Sequence, residues 1–87
     1  MHHVLIRHKV SDFQKWKVSY DNHAPAREEA GFKELHLLRN ADDLNEVVMM
    51  FEVADTQKAR EFVNSTDLKE AMQKSGVVDQ PDIYFLT

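Results

Sequence analysis

Apolar and polar residues alternate or cluster in four short segments, and each segment predicts a β-strand. Residues 2–10 are rich in apolar and β-branched side chains, and residues 32–39 alternate between apolar and polar positions. The turn-forming stretch NADDLN separates 32–39 from a third apolar segment at 46–53, so these two segments predict a hairpin with a loop of several residues. A last strand is expected over 82–87, after Pro81.

The spacing between the first two strands is that of a helix. Ser11 or Asp12 can cap its start, and Gly31 suits the left-handed position that ends a helix. Five residues recur at three- and four-residue steps: Phe13, Trp16, Tyr20, Ala24 and Arg27.

Pro25 lies inside this helical segment and allows two accounts. It can kink one continuous helix, since it lacks a backbone donor and its ring clashes with the carbonyl of Asp21. Alternatively, the helix breaks near Asn22 and Pro25 lies in the first turn of a second helix, where the missing donor costs little. The second account frees carbonyl groups near Tyr20 for water or ligand.

Two further helices are expected after the third strand. Asp55 can cap a helix with Ala59, Phe62 and Val63 on its inward face, and Ser65 or Thr66 can start a shorter one that ends at Gly76. The resulting order is the βαββαβ pattern of ferredoxin-like α+β domains. Right-handed crossovers place the first strand between the third and fourth, in an antiparallel sheet with the helices on one face.

The strands carry apolar residues at both parities, which predicts that the sheet is covered on both sides. Val4 and Ile6 alternate with Leu5, and Met49 alternates with Met50. A sheet with one wet face would alternate cleanly between apolar and polar residues. Because the helices cover only one face, we expect a second copy of the chain to cover the other, forming a homodimer.

Composition narrows the class of protein. The 87 residues predict a single domain over 1–87, and the absence of cysteine excludes disulfides and thiolate chemistry. The net charge of −4, with mixed signs along the chain, argues against a nucleic-acid partner. No apolar run is long enough to span a membrane and the amino terminus is no signal peptide, so a cytoplasmic location is expected.

The chain resembles the dimeric α/β-barrel superfamily, and more narrowly the small antibiotic biosynthesis monooxygenase-like domains and their uncharacterised relatives. The resemblance covers nearly the whole chain and rests on four stretches: VSDFQKWK, HAPAREEAGF, ADDLNEVVMMFEV and NSTDLKEAMQKSGV. It implies a ferredoxin-like fold, a homodimer and a pocket between the sheet and the helices. Some relatives oxidise aromatic polyketides without a cofactor, and others degrade haem.

The residues of the haem-degrading branch are absent. The resemblance implies an asparagine on the first strand, a tryptophan on the third and a histidine on the following helix. Strand one has no asparagine, Val53 stands where the tryptophan is expected, and residues 55–64 contain no histidine. We therefore expect no haem and no other cofactor. The missing tryptophan also weighs against polyketide oxidation.

The first helix predicts the candidate site. At about 100° per residue, Trp16, Tyr20, His23 and Arg27 share the side that faces the sheet. A buried arginine needs an acidic partner or an anionic ligand. The plainer alternative is that Arg27 extends its head group to water and His23 satisfies a backbone carbonyl.

The hairpin register decides what faces that helix. A turn centred on Asp42 and Asp43 would pair Leu38 with Val47, His36 with Met49, and Glu34 with Phe51, all on one sheet face. On that register His36, Glu34, Met49 and Phe51 also enter the pocket. A slip of one residue would turn His36 to the dimer side.

These residues suit a flat, acidic, aromatic or enolic ligand. His23 could take a proton from a phenol or enol, with Arg27 holding the anion and His36 as a further catalytic group. We therefore expect a cofactor-independent monooxygenase or isomerase; the alternatives are a non-catalytic ligand-binding or stress-related dimer and a purely structural dimer. His2, His3 and His8 form no recognised ligand motif, so no metal site is expected.

Overall fold

The computed structural model describes residues 2–87. Four strands form one antiparallel sheet in the order β2-β3-β1-β4, as the crossover argument predicts. The strands are β1 (His2–Lys9), β2 (Phe32–Asn40), β3 (Asp43–Val53) and β4 (Asp82–Leu86). The ferredoxin-like α+β fold is confirmed, with each crossover made of two short helices.

Side-chain caps explain where three of the helices begin. Asp12 accepts from the backbone N–H groups of Gln14 and Lys15, and Asp55 accepts from those of Gln57 and Lys58. Ser65 caps the last helix by accepting from the N–H of Leu68. The helices are α1 (Phe13–Asn22), α2 (Ala24–Glu29), α3 (Thr56–Val63) and α4 (Thr66–Lys74). None of the helices within residues 2–87 is long and apolar enough to cross a membrane.

The segment that contains Pro25 is two helices, not one kinked helix. His23 separates them, with φ −91° and ψ 2°, and it is both the C-cap of α1 and the N-cap of α2. Pro25 lies in the first turn of α2, where no intrahelical donor is required. Gly31 follows with φ 85°, a left-handed conformation that suits glycine after a helix.

The hairpin differs from the predicted register because β2 contains an irregularity at Leu35. Glu34 pairs with Phe51 as expected, but His36 pairs with Met50 and Leu38 with Val48. One extra residue in β2 turns every later side chain to the opposite face. The strands also continue further than expected, since Asn40 pairs with Asp43 across a two-residue turn.

The two sheet faces differ in burial. The face under the helices is almost fully buried, with Val4, Ile6, Val47, Met49 and Phe51 packed against Trp16, Ala59, Val63 and Leu68. The other side, called the open face here, carries the apolar side chains Leu5, Leu38, Val48, Met50, Tyr84 and Leu86. Leu38 and Tyr84 are 58% and 53% exposed. Successive apolar residues along the strands therefore point alternately to the face under the helices and to the open face.

Candidate ligand cavity

A cavity of about 60 Å³ lies between the covered sheet face and the helices. Its walls are mostly apolar and aromatic, including Ile6, Phe32, Met49, Phe51, Phe62 and Leu68. The polar side chains on its lining are few: His8, Ser19, Tyr20, His23, Arg27 and Ser75. An apolar enclosure with a few polar groups is the usual composition of a small-molecule site. We call this space the inner cavity.

Three side chains from the first two helices stack along one wall. The Trp16 and Tyr20 rings lie 4.8 Å apart at 27°, and the Arg27 guanidinium carbon lies 3.6 Å from the Tyr20 ring centroid. Arg27 Nη1 also donates to the Tyr20 carbonyl oxygen at 2.7 Å. The break between the helices does not free that carbonyl for a ligand, because it accepts from both Arg27 and the His23 backbone N–H. Planar stacking and a charged donor together favour arginine over lysine here.

Tyr20 borders both the inner cavity and a second space. Tyr20, Arg27 and Phe32 also border a polar surface depression of about 480 Å³, whose other walls include Lys17, Lys33 and Glu34. We call this the outer depression. The Tyr20 hydroxyl donates to Glu34 Oε1 at 2.6 Å, which fixes the ring between the two spaces. Burial and the Glu34 contact raise the pKa of Tyr20, so its hydroxyl stays protonated at neutral pH.

His23 borders the inner cavity from the junction of α1 and α2. Its ring lies nearly parallel to that of Phe62, with 6.3 Å between centroids. Its backbone N–H reaches the carbonyls of Ser19 and Tyr20, which closes the end of α1. The helix break therefore turns the imidazole towards α3 rather than along the Trp16–Tyr20 stack.

His8 is a cavity residue that the sequence analysis did not single out. Its side chain is 2% exposed and lies edge-on to Trp16, with 5.4 Å between ring centroids and 72° between planes. Among the described residues 2–87, its Nδ1 has no hydrogen-bond partner. Burial lowers the pKa of His8, against the opposing charge of Asp79. Strand parity is the signal that could have found it, because His8 shares the parity of Val4 and Ile6.

The predicted site residues divide into three groups. Six of them line the inner cavity: Trp16, Tyr20, His23, Arg27, Met49 and Phe51. Glu34 borders the outer depression and reaches the site through Tyr20. His36 was misplaced, because the irregularity at Leu35 pairs it with Met50 and turns it to the open face. Its expected place beside Met49 is taken by Leu37.

Across residues 2–87, no three side chains of the histidine, aspartate or glutamate types are grouped so as to hold a metal ion. The most concentrated charges lie on the opposite side of the sheet. There Arg7 binds Glu46, Asp79 and Asp82 at 2.8, 2.9 and 2.8 Å. This network ties β1 to β3, to β4 and to the segment before β4. Its four side chains are not part of the lining of the inner cavity.

Solved structures share this architecture. No family model matches the chain, and no curated protein sequence matches it. A Bordetella bronchiseptica protein, provisionally named an antibiotic biosynthesis monooxygenase, superposes with a TM-score of 0.78 over 99% of this chain and 94% of its own, at 12% identity. The chain has the fold of antibiotic biosynthesis monooxygenase-like domains. A Nitrosomonas europaea protein with the same provisional name gives 0.69 over 100% and 97%, at 14% identity.

A third similar structure is that of SnoaB from Streptomyces nogalater, described as a cofactor-independent oxygenase. It superposes with a TM-score of 0.70, covering 95% of this chain and 89% of SnoaB, at 15% identity. At such identities the likeness establishes the antibiotic biosynthesis monooxygenase-like fold. The chemistry has to be argued from the cavity itself.

Proposed function

We propose that the inner cavity binds a small phenolic or enolic molecule and removes a proton from it. The observation that carries this proposal is the cavity itself, in which two imidazoles and a guanidinium lie among mostly apolar walls. A neutral imidazole is a suitable base near neutral pH. Arg27 borders the outer depression, and a guanidinium there is our candidate for holding an acidic group of the ligand.

Two reactions begin with this proton transfer. Returning the proton to a different atom isomerises the ligand with no change of oxidation state. Passing electrons from the anion to dioxygen oxidises it, and the description of SnoaB as a cofactor-independent oxygenase supports that branch. We keep His23 as a candidate base and Arg27 as the candidate anion holder, and we withdraw His36 from the cavity because it lies on the open face.

The size of the cavity limits the ligand. About 60 Å³ holds roughly four waters, and a benzene ring fits an apolar cavity of about 150 Å³. A single ring therefore needs more room than the cavity has, and we expect the lining, Tyr20 included, to move when a ring binds. This favours single-ring ligands, with the ring inside and an acidic substituent near Arg27.

The alternative is a site that binds without reacting. An assay with single-ring hydroquinones and aryl 2-oxo acids separates the two, with oxygen uptake followed for the former and catalysed ketonisation for the latter. Turnover that falls in His23→Ala or Arg27→Met supports an enzyme. Binding of the same compounds without turnover by the unsubstituted protein supports the binding protein instead.

We also propose that the chain forms a homodimer through the open face. Leu38, Tyr84 and Leu86 are exposed there and stand beside the half-buried Leu5 and Met50. Several exposed apolar side chains on a sheet face that the helices leave uncovered favour an interface. The sheet of a second copy presents the same patch, as a twofold interface requires.

A further inference from the structure

Within residues 2–87, one ring nitrogen of the buried His8 has no hydrogen-bonding partner. Buried polar groups in folded proteins are almost always hydrogen-bonded, because an unpaired one has lost water without compensation. This nitrogen is Nδ1, which is itself buried, in a residue that lines the inner cavity. On the sheet, His8 stands beside Val47, and on the helix side its ring meets Trp16 in a T-shaped contact. These neighbours supply packing, and the backbone contact that acts on the imidazole is with His8 itself.

The nearest carboxylate is already engaged. Asp79 lies close enough for its charge to act on the imidazole, yet both of its oxygens have other partners. The Lys9 backbone N–H donates to Oδ1 at 2.8 Å, and Arg7 Nη2 donates to Oδ2 at 2.9 Å. Arg7 itself is held by three carboxylates. The charged groups around His8 thus satisfy one another and leave the imidazole to the cavity.

We propose that His8 accepts the O–H group of a small phenol or enol bound in the inner cavity, and that His8 rather than His23 is the base. The role as base rests on the proposed function, whereas the role as hydrogen-bond acceptor does not. In the proton-transfer step the ligand O–H bond breaks and an imidazole N–H bond forms. The products are a phenolate or enolate beside an imidazolium, and proton return regenerates both.

The surroundings select the form of the ligand. Burial lowers the pKa of His8, so the imidazole is neutral at neutral pH and offers one acceptor and one donor nitrogen. An apolar wall gives no stabilisation to a ligand that arrives as an anion. The ligand should therefore present a neutral O–H to His8 and keep any carboxylate near Arg27. A single-ring phenol or enol with a remote acidic group meets both conditions.

The binding test uses phenol and toluene, two probes of similar size that differ in the O–H group. Affinities are measured by NMR for the unsubstituted protein and for His8→Phe, which keeps an aromatic edge against Trp16. His36→Phe on the open face is the matched control. The same measurements on Tyr20→Ala, which widens the cavity, cover the case in which neither probe enters the closed form. His8→Leu repeats the test if the phenylalanine variant does not fold.

We expect phenol to bind about tenfold more tightly than toluene, which is roughly the effect of one hydrogen bond. His8→Phe should remove this preference and retain toluene binding, and His36→Phe should leave it unchanged. In nitrogen-15 spectra, an imidazole resonance of His8 should shift with phenol and not with toluene. An unchanged preference in His8→Phe, or no preference in either the original or the widened cavity, would overturn the proposal.

The outcome for His8 is separable from the outcome for the proposed function. If His8→Phe loses the phenol preference and no compound is turned over, His8 is the hydrogen-bond acceptor for the ligand and the proposed enzymatic activity is wrong. If turnover persists in His8→Phe and disappears in His23→Ala, the protein is an enzyme and His8 is not its base.

Discussion

The Tyr20 hydroxyl donates a 2.6 Å hydrogen bond to Glu34 Oε1, and this contact joins α1 to β2 at the boundary between the inner cavity and the outer depression. The Tyr20 ring is held on its two faces by Trp16 and Arg27. Tyr20 borders both spaces, so we expect a ligand that passes from one to the other to move this ring. Such a movement would break the hydrogen bond to Glu34.

Tyr20→Phe removes that hydrogen bond and keeps the ring. We expect the association rate of phenol to rise severalfold, because the ring can swing without losing a hydrogen bond. The free energy of unfolding should fall by about 0.5–1.5 kcal/mol. Stopped-flow binding and urea unfolding measure the two effects. Glu34→Gln retains an acceptor oxygen and is the control; a slower association in Tyr20→Phe would argue against a gate at Tyr20.

Arg27→Lys should destabilise the protein although it keeps the charge. Arginine both covers the Tyr20 ring and donates to the Tyr20 carbonyl, and a lysine ammonium cannot do both in the same plane. We expect a loss of about 1–3 kcal/mol in the free energy of unfolding. Arg39→Lys is a matched control, since Arg39 covers Phe13 away from the cavity. Affinity for an acidic phenol should fall only in the Arg27 variant.

Stability should decrease on mild acidification because of His8. Burial lowers the pKa of His8 below its ordinary value of about 6.5, so the unfolded chain binds a proton that the folded protein does not. The free energy of unfolding should therefore fall as the pH drops below about 6.5, by at most roughly 1.4 kcal/mol per pH unit, and level off below the folded pKa.

Urea unfolding between about pH 5 and pH 8 measures this effect above the range in which carboxylates titrate. His8→Phe should flatten the decline and His36→Phe should keep it. Hydrogen bonds from Asn40 and Arg7 lower the pKa of Glu46, which adds a separate loss of stability at more acidic pH. A decline of the same size in His8→Phe would show that another group causes it.

Charges on the open face should dissociate the proposed dimer. Leu38→Asp combined with Tyr84→Asp places two carboxylates on the exposed apolar patch, where a partner sheet would have to desolvate them. Sedimentation velocity should change from dimer to monomer. Val18→Asp is the control, because Val18 is 63% exposed on α1. A monomeric unsubstituted protein at micromolar concentration would contradict the dimer.

Periodicity predicted much of the site because it depends on local geometry. Trp16, Tyr20 and His23 reach one cavity through a spacing of three or four residues, and the caps at Asp12 and Asp55 begin their helices where the side chains require. Strand order followed from chain connectivity. These features need no knowledge of distant contacts.

The facing of His36 and the role of His8 depend on contacts between distant residues, which the local sequence pattern does not contain. A single extra residue at Leu35 turned His36 to the open face, and nothing in the local sequence marks that irregularity. His8 was considered only as a metal ligand, although its parity places it among buried residues. Its importance depends on having no partner, which is visible only once all neighbours are placed.

The central claim is that the inner cavity is the ligand site, and phenol titration of labelled protein tests it directly. Intermolecular nuclear Overhauser contacts should connect phenol with the Trp16 indole and the Met49 methyl group, both on the cavity lining. The widened Tyr20→Ala variant should give the same contacts more strongly. Contacts confined to Leu38 and Tyr84 on the open face, or none with Trp16 and Met49 in either protein, would contradict the account.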